Sequence, residues 1–411
     1  MRYFDYAASA PPYPQALETF SRVSVEAYAN PSASHALGAA ARRKLAENKV
    51  ELCTLCGFAP ASQFQTLNPD PRPLNPAVLT SSGTEANNLA IRGVMEAQPD
   101  ARSLVAEDVH ASAWFAVDRY RSRADVLPLG RGGKIDPAGI EKKLTKRHAL
   151  CSVVHACNET GIVHDIAALG EICRRKNVLL HVDGAQALGH LPLRLADLPV
   201  DFYTFSAHKF GAPRGVGGVL FFLNPPLRIL NPFRSSVNSV TSVTSVAHPL
   251  VPQILGGGQE GGLRSGTENV AGLAAAVTAL KLSLEAMPSE TKRLRELAGV
   301  LAEKIRSGVP DALLNSDLEN GLAGLVSLSF AGTVGQALVA ELSLRQMAVG
   351  TGAACHSNQV EPSRAILALG RSKAEALGTV RISMGRDTTA TDVDDLARAL
   401  IEIVARQRAL A

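Results

Sequence analysis

The chain has 411 residues, 46% of them hydrophobic and 19% charged, with 34 Gly and 23 Pro. This composition excludes a disordered, fibrous or collagen-like chain and supports one large core plus a smaller unit. The 42 Lys and Arg against 38 Asp and Glu leave a formal net charge of +4, too diffuse at this length to predict nucleic-acid binding.

The opening Met-Arg-Tyr-Phe-Asp-Tyr has no apolar run of the secretory kind. The longest apolar stretches, such as residues 216–223, fall far short of the roughly 20 residues that a bilayer requires. A soluble, cytoplasmic protein is expected. Six cysteines (Cys53, Cys56, Cys151, Cys157, Cys173 and Cys355) are irregularly spaced, which argues against a disulfide framework. Cys53 and Cys56 look like a metal or redox pair, but no second pair has zinc-ribbon spacing, so a structural role is the stronger reading.

In chain order, residues 78–80 predict a strand that runs into Ser-Ser-Gly-Thr-Glu and a helix to about residue 97. A strand at 103–106 and a helix at 111–120 follow. Next come a strand at 151–155, a helix at 166–176, and strands at 178–182, 201–205 and 216–222. Short apolar runs alternating with helices predict an α/β architecture with a largely parallel sheet. Two helices at 270–287 and 290–306, a strand at 325–330, a helix at 335–344 and a closing helix at 392–408 predict a smaller α/β domain in the last third. Residues 59–76, with prolines at 60, 69, 71, 73 and 76, and residues 224–252 read as surface insertions.

Three polar clusters follow predicted strands, where ligands collect in such sheets, and a fourth surrounds Cys355. Ser206-Ala-His-Lys puts Lys209 beside Ser206 and His208 in a Gly-rich turn, a setting that suits covalent capture of an aldehyde cofactor. A solvated loop lysine fits that stretch equally. Asp183, in His181-Val-Asp-Gly-Ala-Gln, ends an apolar strand and could pair with a protonated pyridine nitrogen, or merely cap a helix. Residues 80–88 join a strand to a helix, an anion site at Gly83 and Thr84 or a plain cap. Cys355 lies among small and polar residues, with His356 next in sequence, as a reactive thiol or a tolerated surface one.

Taken together, these motifs resemble the cysteine desulfurases, the class-V branch of the fold-type-I pyridoxal-phosphate (PLP) enzymes. The resemblance runs nearly end to end. It covers Tyr3-Phe-Asp-Tyr-Ala-Ala-Ser, Asn30-Pro-Ser-Ala-Ser-His, residues 80–88, Asn158-Glu-Thr-Gly, the Asp183 and Lys209 motifs, residues 256–267, the Cys355 loop, Glu361-Pro-Ser, and Val380-Arg-Ile-Ser-Met-Gly-Arg.

The resemblance implies a large domain at 15–285 with a mostly parallel seven-stranded sheet, and inserts near 59–76 and 224–252. Residues 1–14 and 286–411 would form a small domain that carries the Cys355 loop. It implies PLP held covalently by Lys209, with Asp183 on the pyridine nitrogen, Gln186 and Asn158 towards the phenolic oxygen, and His110 stacked on the ring and moving protons. Gly83, Thr84, Ser206 and His208 would hold the phosphate, and Thr267 would reach that of a partner subunit. Arg381, helped by Asn30 and Asn158, would bind the carboxylate of L-cysteine. Cys355 would be the nucleophile that carries the persulfide. No resident metal site is expected; Cys355 is the one candidate for a transient iron–sulfur ligand.

The implied protein is a homodimer with shared active sites. It would pass sulfur to an acceptor protein for iron–sulfur cluster assembly or tRNA thiolation, without membrane or direct nucleic-acid contacts. A selenocysteine lyase or another class-V activity is the alternative, and a non-catalytic scaffold a remote one. The chain departs from the family pattern at Glu107-Asp-Val-His, where Glu-His is usual. It also has Gly350 and Ala353 where the Cys loop usually has serines, and Gly211-Ala-Pro-Arg for Gly-Gly-Pro-Lys.

Overall fold

The computed structural model describes residues 1–58, 77–222, 227–229, 248–351, 355–356 and 359–410. The expected insertion at 59–76 lies outside the described residues. Of the second, two short strands are described, Leu227–Ile229 and His248–Leu250, paired in parallel.

The larger sheet has seven strands in the order Ala77–Thr80, Gly217–Phe221, Phe202–Ser206, Leu179–Asp183, His148–Val154, Arg102–Ala106 and Ala124–Leu127. Only Gly217–Phe221 runs antiparallel to its neighbours. The inner strands are near-continuous apolar runs because a parallel sheet is covered on both faces; all five residues of Leu179–Asp183 and all seven of His148–Val154 are buried. The edge strand Ala124–Leu127 escapes the sequence pattern: only one of its four residues is buried, so it shows little apolar signal.

A five-stranded sheet forms the second layer, in the order Arg2–Phe4, Met347–Thr351, Thr379–Ser383, Leu325–Ser329 and Leu313–Leu314. Two main cores result. One surrounds the seven-stranded sheet, and the other includes Phe4, Leu301, Val326, Phe330, Val380 and Leu400. A small cluster of Ala7, Ala156, Ala187, Leu322 and Leu325 sits at the junction.

The two helices expected at 270–287 and 290–306 are one helix, Val270–Gly308, 39 residues long with Pro288 inside it. Proline costs about 3 kcal/mol in a helix interior. The cost is offset by burial on both sides of it: Leu273, Ala276 and Leu280 enter the first core, and Leu301, Ala302 and Ile305 enter the second. Among the described residues this is the one helix long and apolar enough to cross a membrane by composition, yet 56% of its most apolar window is buried inside the protein.

Leu301 is fully buried where this helix meets the five-stranded sheet. Leu301→Ala should cost roughly 2–5 kcal/mol, read as a lower midpoint in denaturant unfolding.

Candidate active site

The carboxyl ends of the parallel strands bring the predicted residues together. Asp183 is the last residue of its strand and is buried. Its Oδ1 accepts from the Ala185 N–H at 3.0 Å and its Oδ2 from Asn87 Nδ2 at 2.7 Å. Ser206 ends the next strand, and Lys209 lies in the single 3-10 turn Ala207–Phe210 that follows. Gly211 closes that turn at φ +87°, a conformation that favours glycine.

The Lys209 amine donates to the carbonyls of Ala7 at 2.6 Å and Ala8 at 2.9 Å. Gln186 Nε2 donates to the same Ala7 carbonyl at 2.7 Å. Burial, followed by the nearby positive charge of Arg381, pushes the Lys209 pKa down to about 8. A larger share of the amine is therefore neutral and nucleophilic near physiological pH.

The helix Gly83–Ala97 starts beside Ser206. Ser82 caps it by accepting from the Glu85 N–H at 3.2 Å. A Cβ on Gly83 would stand 3.1 Å from Ser206 Cβ, and one on Gly217 would stand 2.4 Å from the Ser82 carbonyl carbon. Two glycines thus let a helix N-terminus, which carries N–H groups lacking helical acceptors, close on the Ser206 hydroxyl. Thr84 is exposed and lines an open groove with His110. His208 shares a 3.1 Å hydrogen bond with Ser9 Oγ. Burial, then Lys209, push its pKa down to about 4, so it is neutral at pH 7.

His110 caps the helix Ala111–Asp118. The protein mass around it lowers its pKa, opposed by the nearby charge of Asp183. The expected Glu107-Asp-Val-His shift has a structural basis. Asp108 turns inwards to meet His164 Nε2 at 2.7 Å, which leaves His110 facing the groove.

Arg381 is buried in the strand Thr379–Ser383. Its Nη2 donates to Asp5 Oδ1 at 2.7 Å and its Nη1 to the Asn158 carbonyl at 3.0 Å; its Nε is buried and has no partner among the described residues. A Cβ on Gly350 would lie 2.8 Å from Arg381 Nη2 and 2.7 Å from Asp5 Oδ1. A side chain at position 350 would therefore crowd the Asp5–Arg381 pair.

Asn30 and Thr267 are exposed and, among the described residues, share no hydrogen bond with the Lys209 cluster within one chain. Asn30 Oδ1 instead accepts from the Ser32 N–H at 2.9 Å. Cys355 and His356 form a two-residue strand opposite Gln359–Val360, with Cys355 paired to Val360; their side chains lie outside the described residues. Cys53 and Cys56 are buried at the end of the helix Ala36–Leu55, and no metal-ligating cluster occurs among the described residues.

The profile of the aminotransferase class-V family matches residues 2–396. The chain belongs to the class-V aminotransferase family. It is 30% identical to the cysteine desulfurase IscS of Dictyoglomus turgidum over 99% of this chain and 95% of that one. It is 32% identical to the IscS of Methylococcus capsulatus over 99% and 93%. A solved NifS-like protein superposes with a TM-score of 0.82 at 26% identity, covering 99% of this chain and all of the other.

Class-V enzymes depend on PLP, and the residues here fit it. They supply a half-buried amine with a lowered pKa, a buried strand-end carboxylate, and a glycine-lined helix start against Ser206.

Asn87 is the residue that sequence reading missed. It is 1% exposed, and its amide meets Asp183, Ser112, His181 and Thr204. Its place in the 80–88 motif was the only signal.

In cofactor-free protein, the reactivity of Lys209 towards an amine reagent should rise through an inflection near pH 8. Arg381→Gln removes a like charge, so the inflection should move to higher pH. Peptide mapping of the modified lysine across a pH series checks both.

Proposed function

We propose that the chain is a cysteine desulfurase: it takes L-cysteine, releases L-alanine and holds the sulfur as a persulfide on Cys355. The thiol inventory around the lysine–carboxylate site carries this reading. All five described cysteines are buried. Burial pushes the thiols of Cys53 and Cys157 up to about 12 and raises that of Cys56, while a hydrogen bond with Cys173, then burial, raises that of Cys151. Such thiols yield almost no thiolate at neutral pH. Cys355 instead lies four residues beyond Thr351, the last residue of the strand Met347–Thr351. In that strand Gly350 pairs with Arg381. This register starts the Cys355 loop beside the one buried arginine of the site.

Lys209, Asp183, Gln186, Ser206 and Gly83 would hold PLP. When bound, the cofactor supplies an electron sink for the charge that develops at the substrate α-carbon. Arg381 supplies positive charge for the substrate carboxylate, in exchange for part of its pairing with Asp5. The Lys209 amine takes the α-proton as a base, which its lowered pKa favours. The Cys355 thiolate attacks the substrate sulfur. A sulfur–sulfur bond forms and the carbon–sulfur bond breaks. Its electron pair stays with the carbon fragment, which is protonated to alanine.

The reading extends to the setting. The persulfide would pass to an acceptor protein for iron–sulfur cluster assembly or tRNA thiolation. A homodimer with Thr267 reaching the partner's site is supported by the exposed apolar residues Leu17, Val25, Tyr28 and Leu37 on or beside the first two helices. A cytoplasmic location is supported by five free thiols.

Cys355→Ala should keep its bound PLP yet release almost no alanine or sulfide from cysteine. Desulfuration at the parent rate would sink the nucleophile assignment. Gly350→Ala should displace the Arg381 guanidinium and raise KM for cysteine by roughly tenfold or more, the worth of a charged hydrogen bond, with PLP content unchanged.

A further inference from the structure

Asn87 sits in the helix Gly83–Ala97, shares no hydrogen bond with Lys209 among the described residues, and reaches the groove only through Ser112. Its four polar contacts nevertheless define a chain of donors. Nδ2 lies 2.7 Å from Asp183 Oδ2 and 2.9 Å from Ser112 Oγ. Oδ1 lies 2.6 Å from Thr204 Oγ1 and 3.1 Å from His181 Nε2. A carboxylate only accepts, so the amide nitrogen must face Asp183 and the amide oxygen must face the other side. Both Asn87 hydrogens are then spent, one on Asp183 and one on Ser112.

The assignment propagates. His181 must donate from Nε2 to the Asn87 oxygen, which leaves its Nδ1 to accept from Ser152 Oγ at 2.8 Å. Ser112 Oγ accepts from Asn87, which leaves its hydroxyl hydrogen free to donate to His110 Nδ1, 2.8 Å away. The Ser112 N–H, at 3.2 Å, points to the same nitrogen. Two donors on Nδ1 place the proton of a neutral His110 on Nε2.

We propose that Asn87 is a positioning residue that couples Asp183 to His110, orienting the Asp183 carboxylate that would face PLP and, through Ser112, setting His110 to present its Nε2 proton. One buried amide thus reaches both sides of the site. The titratable groups around it are Asp183 and His181 on one strand and, through Ser112, His110. The role rests on the desulfurase reading only for its consequence in catalysis. The tautomer and the cofactor affinity are read without substrate.

The test uses the full chain with ¹⁵N-labelled histidine, first without cofactor. The parent should show His110 as a single Nε2-protonated tautomer. In Asn87→Ala the serine hydroxyl is free to turn, so the His110 signals should move towards a mixture of tautomers. PLP affinity, followed by absorbance titration, should weaken by about tenfold, the worth of one hydrogen bond to a charged group. Asn87→Asp keeps the shape and the oxygen that serves Thr204 and His181, but it sets two carboxyls side by side. They bridge only while they share a proton. Its PLP affinity should be near the parent's at about pH 6 and about tenfold below the parent's at about pH 8.5, a loss beyond the dependence that Lys209 gives both proteins.

A role in packing alone predicts the parent's tautomer in both variants and no new pH dependence for Asn87→Asp. Either result overturns the proposal. If Asn87→Ala does not fold, the pH series on Asn87→Asp decides. A parent that binds PLP but releases no sulfide from cysteine would defeat the desulfurase reading and leave this one standing on its own readouts.

Discussion

The amine of Lys209 must be buried next to Asp183 without being lost to it as a simple ion pair. The first ten residues meet that constraint. The Ala7 and Ala8 carbonyls take the amine's hydrogens, so Lys209 is hydrogen-bonded where solvent is scarce. Backbone carbonyls satisfy a donor without adding a full charge, and the amine keeps its lowered pKa. The same segment takes Gln186 through Ala7, binds Ser383 Oγ through the Ala7 N–H, and takes Tyr6 N–H to the Ser383 carbonyl. The lysine is therefore tied to both sheets through residues 201 and 202 positions away.

Two other elements keep that junction in register. The helix Val270–Gly308 enters both main cores and makes them one mechanical unit despite Pro288. The strand Arg2–Phe4 pairs with Met347–Thr351 at the edge of the five-stranded sheet. Its neighbour Asp5 is delivered to Arg381 by that pairing. Arg381 thus acts on the site twice: its guanidinium is held by Asp5 and the Asn158 carbonyl, and its charge depresses Lys209. Gly350 leaves the space that makes this possible.

Much of the fold was legible because its signals are local. The helix expected at 166–176 is the helix Ile166–Lys176, with Asp165 accepting from the Ala168 N–H at its start and Asn177 in the left-handed conformation at its end. Apolar runs bounded by polar residues located the inner strands. The edge strand Ala124–Leu127 was missed because an edge buries little, and the helix through Pro288 was split because a local rule reads proline as a stop.

The sequence by itself determined the family, the α/β class, and the strand-end positions of Lys209, Asp183 and Ser206. Each of these rests on residue order and short-range pattern. The tertiary structure alone decided that Arg381 is shared between Asp5 and Asn158, that Gly350 lies against that guanidinium, and that Asn87 joins Asp183 to Ser112. Those contacts link residues 25 to 376 positions apart. A buried polar group takes whatever partner the fold brings within about 3 Å, and no local pattern in the chain encodes which partner that is.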